Sequence, residues 1–202
     1  MKKLACCLII LILSQGLVIA QTKYETEWQD IITERDKILG QEDDLKAKYE
    51  LAVAYANLGE IEKVNDIFDY LDEEVEDYEE KIEEMIEDYQ VKLASNPDHI
   101  ELLNYLAFAY YINRDYQEAE DKFERVIELD PKNIWSYNYL AVVNYKLEDY
   151  DRAEENLKYS LELEKNPYTH FLLGANYHKQ RNYFRAVYHI SRGRRAVSIF
   201  LN

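Results

Sequence analysis

The sequence is poor in residues that make turns and covalent staples. Five glycines and three prolines in 202 residues fall far below the roughly 12% that the two types usually contribute. Folds built of many short strands need turn residues at every reversal, so an all-β domain is excluded and long helices with short connections are expected. Both cysteines, Cys6 and Cys7, lie close to the N-terminus, so the rest of the chain has no disulfide, thiolate nucleophile or cysteine metal ligand. Positive charge is scarce as well: 24 Lys and Arg stand against 40 Asp and Glu, a net charge of −16. That balance argues against nucleic acid, whose phosphates demand clustered Lys and Arg. The four His include no His-Glu-x-x-His pair, and no glycine-rich phosphate loop or serine elbow is present. The acids lack the spacing and turn glycine of an EF-hand. With so many carboxylates, acid pairs are inevitable and carry no catalytic signal. No catalytic residue, metal or cofactor is expected, and the chain is read as a non-enzyme.

What the chain does have is apolar surface. Hydrophobic residues make up 48% and aromatics 13%, including 19 Tyr, enough to bury a core. The first twenty residues stand apart. Lys2 and Lys3 precede an apolar run from Leu4 to Ala20, and the small Val18 and Ala20 suit a signal peptidase cutting before Gln21. The expectation is export to the periplasm or outside the cell; the alternative is an uncleaved N-terminal anchor. Loss of Lys2 and Lys3 with that segment leaves a charge of −18.

The remainder repeats itself. Asn-Tyr-Leu-Ala occurs at Asn104–Ala107 and at Asn138–Ala141, 34 residues apart, and Asp115–Ala119 matches Asp149–Ala153 at the same offset. Asn182–Ala186 follows 33 residues later, and Pro97, Pro131 and Pro167 punctuate the frame. One such unit cannot bury its apolar face alone, so the units must stack.

The pattern resembles the tetratricopeptide repeat, a helix–turn–helix unit. Its marker positions are Leu103, Leu106-Ala107, Tyr110, Ala119, Phe123, Val126 and Pro131 in one unit. They are Tyr137, Leu140-Ala141, Asn144, Ala153, Leu157 and Ser160 in the next, and His170, Leu173-Gly174, Tyr177, Ala186, Ile190 and Gly193 in the last. A degenerate unit from Leu45 carries Leu51-Ala52, Tyr55, Gly59, Val64, Phe68 and Leu71. Asn144 departs from the usual Tyr, Val64 from Ala, and Gly193 from Ala. The resemblance implies an all-α solenoid. The expected layout is a signal peptide over 1–20, an N-terminal helix over 21–44 and a degenerate first repeat over 45–95. Repeats over 97–131 and 132–166 and a basic C-terminal repeat over 167–202 complete it.

The first repeat is too long by 21 residues, three heptads. Ile61, Val64, Phe68, Leu71, Val75, Tyr78, Ile82, Met85 and Tyr89 keep a three–four spacing across it without Gly or Pro. One extended helix over about 61–94 is expected, with a kink near Asp72 as the rival. Asp72 to Asp88 holds 11 acids and one Lys: either a solvated face, or a coiled-coil or docking surface for a basic partner.

In this family the concave face lined by first helices usually binds partners. The resemblance places Asn104, Phe108, Tyr111, Trp135, Asn138, Val142, Tyr145, Lys146, Tyr168, Phe171, His178 and Lys179 there. Aromatics alternate with amides that could hold a peptide backbone, unless these residues instead cover neighbouring repeats. The charge is split along the chain. Residues 21–166 carry −24, and residues 167–202 carry +6 with no acid at all. Arg185, Arg192, Arg194 and Arg195 form a candidate basic docking end beside the apolar Ile199–Leu201. The leading expectation is an exported scaffold that binds another protein or peptide segment through an aromatic groove. The alternative is a self-assembling or membrane-associated structural protein docking through its basic last repeat.

Overall fold

The computed structural model describes residues 23–40, 44–194 and 196. The expected export segment, Arg195 and the apolar end beyond it lie outside the described residues. Among the described residues ten α-helices follow one another: α1 (Glu25–Leu39), α2 (Leu45–Leu58), α3 (Ile61–Glu74), α4 (Tyr78–Ser95), α5 (Ile100–Ile112), α6 (Tyr116–Leu129), α7 (Ile134–Lys146), α8 (Tyr150–Leu163), α9 (Pro167–Lys179) and α10 (Tyr183–Arg192). The all-α solenoid expected from the repeats is present.

The pairs α5–α6, α7–α8 and α9–α10 are antiparallel hairpins that share one turn chemistry. Arg114, Glu148 and Arg181 sit in the left-handed region with φ of 66°, 64° and 60°. Each is followed by a residue that starts the next helix. The side chain of Asp149 accepts from the Arg152 amide at 3.0 Å, and that of Asn182 from the Arg185 amide at 3.4 Å. Such side-chain acceptors satisfy amides that a helix start leaves bare. Pro167 occupies the first turn of α9, where a missing N–H costs nothing. Within hairpins, small residues let the helices touch. Ala107 and Ala119, and Ala141 and Ala153, are buried. A Cβ on Gly174 would lie 2.6 Å from Ile190 of α10.

Between hairpins runs a polar ladder. Glu120 of α6, only 4% exposed, pairs with Arg152 of α8 and accepts from Asn144 Nδ2 of α7 at 2.5 Å. Glu154 of α8 repeats the scheme, with Tyr177 Oη of α9 donating at 2.9 Å and Arg185 of α10 at 3.8 Å. Asn144, the departure from the family Tyr, is the residue that reaches Glu120. It also accepts from Asn156 Nδ2 at 2.9 Å.

The expected single helix over 61–94 is two helices. Val75 is extended (φ −100°, ψ 113°) and Asp77 is left-handed (φ 57°, ψ 35°). Acids at a helix C-terminus oppose the macrodipole, whereas acids in a first turn are favoured. The break puts Glu79 and Glu80 into the favoured first turn of α4, but it leaves Asp72, Glu73 and Glu74 in the last turn of α3, where they oppose the dipole. The apolar seam survives the break: Leu71, Tyr78, Ile82, Met85, Ile86 and Tyr89 are all buried.

The break also decides where the first unit goes. α4 packs beside α5 as α6 packs beside α7. A stacked second helix would lie on the outer face; α3 instead lies opposite the inner face of α5, α7 and α9, with Phe68 stacked on Phe108 at 6.4 Å. Helix α2 is buried almost all round, with Ala47, Tyr49, Ala52, Val53, Ala54 and Ala56 at 3% exposure or less. Tyr49 Oη donates to the Tyr105 carbonyl of α5 at 2.5 Å, and Tyr139 Oη of α7 donates to the Ala56 carbonyl at 3.0 Å. Buried Glu50 accepts from Arg35 of α1 at 2.6 Å and from Tyr89 of α4 at 2.9 Å. At the hairpin's tip Gly59 has φ 75°, and a Cβ there would lie 2.1 Å from the Trp135 ring.

Two stability predictions follow from these turns. Gly59→Ala faces both a left-handed backbone and the Trp135 ring, so urea unfolding should show a loss of at least about 1 kcal/mol. Glu148→Gly relieves a left-handed L-residue at an exposed turn and should gain about 0.5–1 kcal/mol in the same assay. Opposite signs at these two turns are the expected signature.

Candidate functional site

A cavity of about 540 Å³ lies between α3 and the inner face of the array. Val64, Phe68, Asp69 and Asp72 of α3 and Tyr78 of α4 form one wall. Phe108, Tyr111 and Ile112 of α5, Tyr139 and Val142 of α7, and Tyr168, Phe171 and Leu172 of α9 form the other, with Phe123 of α6 behind them. Phe108 is the floor: its ring meets Tyr139 edge-on at 4.8 Å and Phe123 at 5.4 Å. The surface is therefore mostly aromatic, with carboxylates only at Asp69 and Asp72, both exposed. The Tyr78 hydroxyl is buried and has no hydrogen-bond partner among the described residues. Burial raises its pKa, and the neighbouring Asp72 carboxylate adds to that, so it remains a phenol able to donate. Burial likewise raises Tyr111 and Tyr168. The arrangement can hold apolar groups against rings and attract a cation to its acidic rim.

The residues expected to form one continuous groove are divided among several places. Phe108, Tyr111, Val142, Tyr168 and Phe171 line the cavity. Trp135 lies in a shallower depression of about 300 Å³ beside Gly59, Ile61, Pro167 and Ala196, its ring edge-on to Tyr168 at 5.8 Å. Tyr145 and Lys146 line a third depression, of about 190 Å³, with Leu157, Leu172 and Ala175. His178 and Lys179 are exposed near the end of α9. His178 meets the Tyr183 ring at 5.8 Å, and the Lys179 ammonium lies 5.7 Å from the Tyr145 ring.

Asn104 and Asn138 do not offer amides to a ligand. Both are buried where helices cross. Asn104 Nδ2 bonds the Ile100 carbonyl of its own helix at 2.9 Å, and Asn138 Oδ1 accepts from Thr169 of α9 at 3.1 Å. Asn138 thus ties α7 to α9, whereas Asn104 bonds only its own helix. The wall supplied by Val64, Phe68, Asp69, Asp72 and Tyr78 was not part of the expected site. Its signal was the apolar seam itself, which had to cover something.

In the basic last repeat, Arg185 lies 5.4 Å from the Tyr177 ring and Arg192 4.8 Å from the Tyr188 ring, while Arg194 is exposed. His170 and His189 face each other, Nδ1 to Nδ1 at 2.9 Å. Burial, His170, Arg192 and Arg185 together push His189 down to about 4, and burial and Arg192 lower His170. Among the described residues no group of three or more His, Cys, Asp or Glu is placed to hold a metal ion.

Family models for the tetratricopeptide repeat match residues 100–133 and 122–155. Residues 100–155 thus match the tetratricopeptide repeat. Among solved structures it is similar to one titled as the crystal structure of MamA protein. That structure is 18% identical, covers 85% of this chain and 90% of its own, and has a TM-score of 0.56. A MamA structure from Desulfovibrio magneticus RS-1, spanning residue 41 to the end, is 14% identical over 86% of this chain and 94% of its own, with a TM-score of 0.52. A third, MamA MSR-1, is 17% identical over 85% and 95%, with a TM-score of 0.51. At these identities the likeness is one of fold. Among curated proteins none matches the sequence. The repeats and the fold support a scaffold for protein–protein interaction.

The histidine pair has a pH consequence. A His whose folded pKa lies below its unfolded value of about 6.5 is neutral in the fold, so stability is full above 6.5. It declines as the pH falls through 6.5 towards 4. Amide exchange of residues 183–192 should quicken across that window, and His189→Gln should flatten the response. An unchanged profile in the variant would remove the pair as the cause.

Proposed function

We propose that the protein is an exported, non-enzymatic scaffold that holds another protein by an apolar segment carrying a Lys or Arg. The binding place is the cleft between α3 and the inner face of α5, α7 and α9. The observation that carries this reading is the aromatic cavity itself, with Tyr78 in its wall and Asp69 and Asp72 beside it. Aromatic walls take Leu, Phe or the methylene stem of a basic side chain, and the two carboxylates select a cation at the mouth. A volume of about 540 Å³ suits a few side chains of an extended segment rather than a whole helix, because α3 already occupies part of the inner face. Export is supported by Lys2 and Lys3, the apolar run behind them and the small residues Val18 and Ala20. The basic last repeat supplies a second contact, independent of the cleft.

The test uses synthetic peptides in which Leu or Phe flank a Lys, titrated by tyrosine and tryptophan fluorescence. Wild-type chain should bind them and ignore the same peptides with Glu in place of Lys. Asp69→Lys with Asp72→Lys changes only exposed side chains and should weaken binding roughly tenfold or more. Equal affinity in wild type and variant, or indifference to the sign of the peptide charge, would sink the reading.

A further inference from the structure

The ladder between repeats stops at α10. The α6 and α8 positions that carry Glu120 and Glu154 correspond in α10 to Val187. The neighbouring outward positions change in the same way: Gln117 and Asp121 in α6, and Asp151 and Glu155 in α8, become Phe184 and Tyr188. These side chains are not covered. Phe184 is 94% exposed, Val187 68% and Tyr188 52%. Their spacing, i, i+3 and i+4, puts them on one face of the helix, while the opposite face carries Ala186, the helix's buried residue. A face left to water is normally polar; among the described residues nothing covers this one, which carries rings and a branched aliphatic. Arg181 precedes the helix, and Arg192 and Arg194 stand at its C-terminal end, all exposed.

Three kinds of occupant can be weighed against these facts. Face-to-face pairing of two copies through α10 would bring basic ends together, a like-charge contact without compensating acids. The acidic α3 and α4 of a second copy would satisfy the arginines. The apolar residues of α4, however, are turned inward, apart from the exposed Val91 and the half-buried Leu93, and Tyr70 of α3 stands alone. A second copy thus offers charge with little apolar counter-face, since on the acidic α8 only Tyr159 and Leu163 are exposed, at 43% and 38%. A bilayer with anionic headgroups offers both: phosphates for the arginines, and the headgroup–acyl boundary for Phe184, Val187 and Tyr188. We infer that the outer face of α10 is a peripheral docking surface for anionic lipid. The contact is peripheral because, among the described residues, no helix is long and apolar enough to cross a membrane.

The inference stands apart from the cleft, and its test does not involve the peptides. The chain from Gln21 onward, which contains every described residue, is floated with vesicles of phosphatidylcholine alone and with vesicles that also contain phosphatidylglycerol. Wild type should float only with the second, and less as salt rises. Phe184→Glu with Val187→Glu alters side chains that stand largely in water. It should reduce flotation roughly tenfold or more with unchanged circular dichroism, and Arg192→Glu with Arg194→Glu should do the same. Failure of wild type to float with phosphatidylglycerol would overturn the inference, as would equal flotation of the Phe184 and Val187 variant. So would the finding that these substitutions instead abolish concentration-dependent self-association in the absence of lipid, because the face would then belong to protein.

Discussion

The rest of the molecule depends on the burial of one helix, α2. It touches α1, α3 and α4 as well as the inner face of the array at α5 and α7. Such encirclement is sterically open only to a helix with little side-chain bulk on several sides, and the run Ala52-Val53-Ala54 with Ala47 and Ala56 provides it. Tyr49 and Glu50 add polar ties that a purely apolar helix would lack, so that α2 is held in one register. Because α2 sits where a partner's helix would otherwise lie, the inner face keeps only the space that α3 leaves. The cleft is therefore a remainder, shaped as much by the N-terminal hairpin as by the repeats.

The repeats were readable because their requirements are local. A small residue at each close approach, an acid or amide at each helix start and a proline at the boundary recur at a fixed offset, and α5 to α10 follow them. The break at Val75–Asp77 was not readable from apolar spacing, because the seam runs through it unchanged; only the density of like charge near the end of α3 hinted at it. The route of the hairpin was hidden for a related reason. A seam shows that a face is buried, not what buries it. The cleft was half legible: Phe108, Tyr111, Val142, Tyr168 and Phe171 come from the repeats, whereas Phe68, Asp69, Asp72 and Tyr78 come from the hairpin that crosses them. Asn104 and Asn138 misled because a groove-side amide and a helix-bridging amide look alike in sequence.

Charge organises the molecule at two scales. Within the array single pairs, Glu120 with Arg152 and Glu154 with Arg185, join each repeat to the next. Along the chain the acids collect on α3 and α4, whereas from Pro167 onward there are six Lys and Arg and no acid. The local pairs, each a largely buried Glu with a solvent-exposed Arg, set the alignment of one hairpin on another. The long-range separation leaves two ends of unlike character, and α10 adds an apolar face to the basic one.

The ties between α2 and α7 also order events in time. Ala56 and Tyr139 are 83 residues apart, and Asn57 meets Asn133 across 76. Until α7 has been made, the Ala56 carbonyl has no tyrosine to bond and Trp135 is not there to cover Gly59. Synthesised from its N-terminus, the protein therefore makes its central helix early and seats it late. In the interval, the alanine-lined faces that later form the middle of the molecule have no array to dock on, and the chain is most exposed to wrong partners before its own repeats exist.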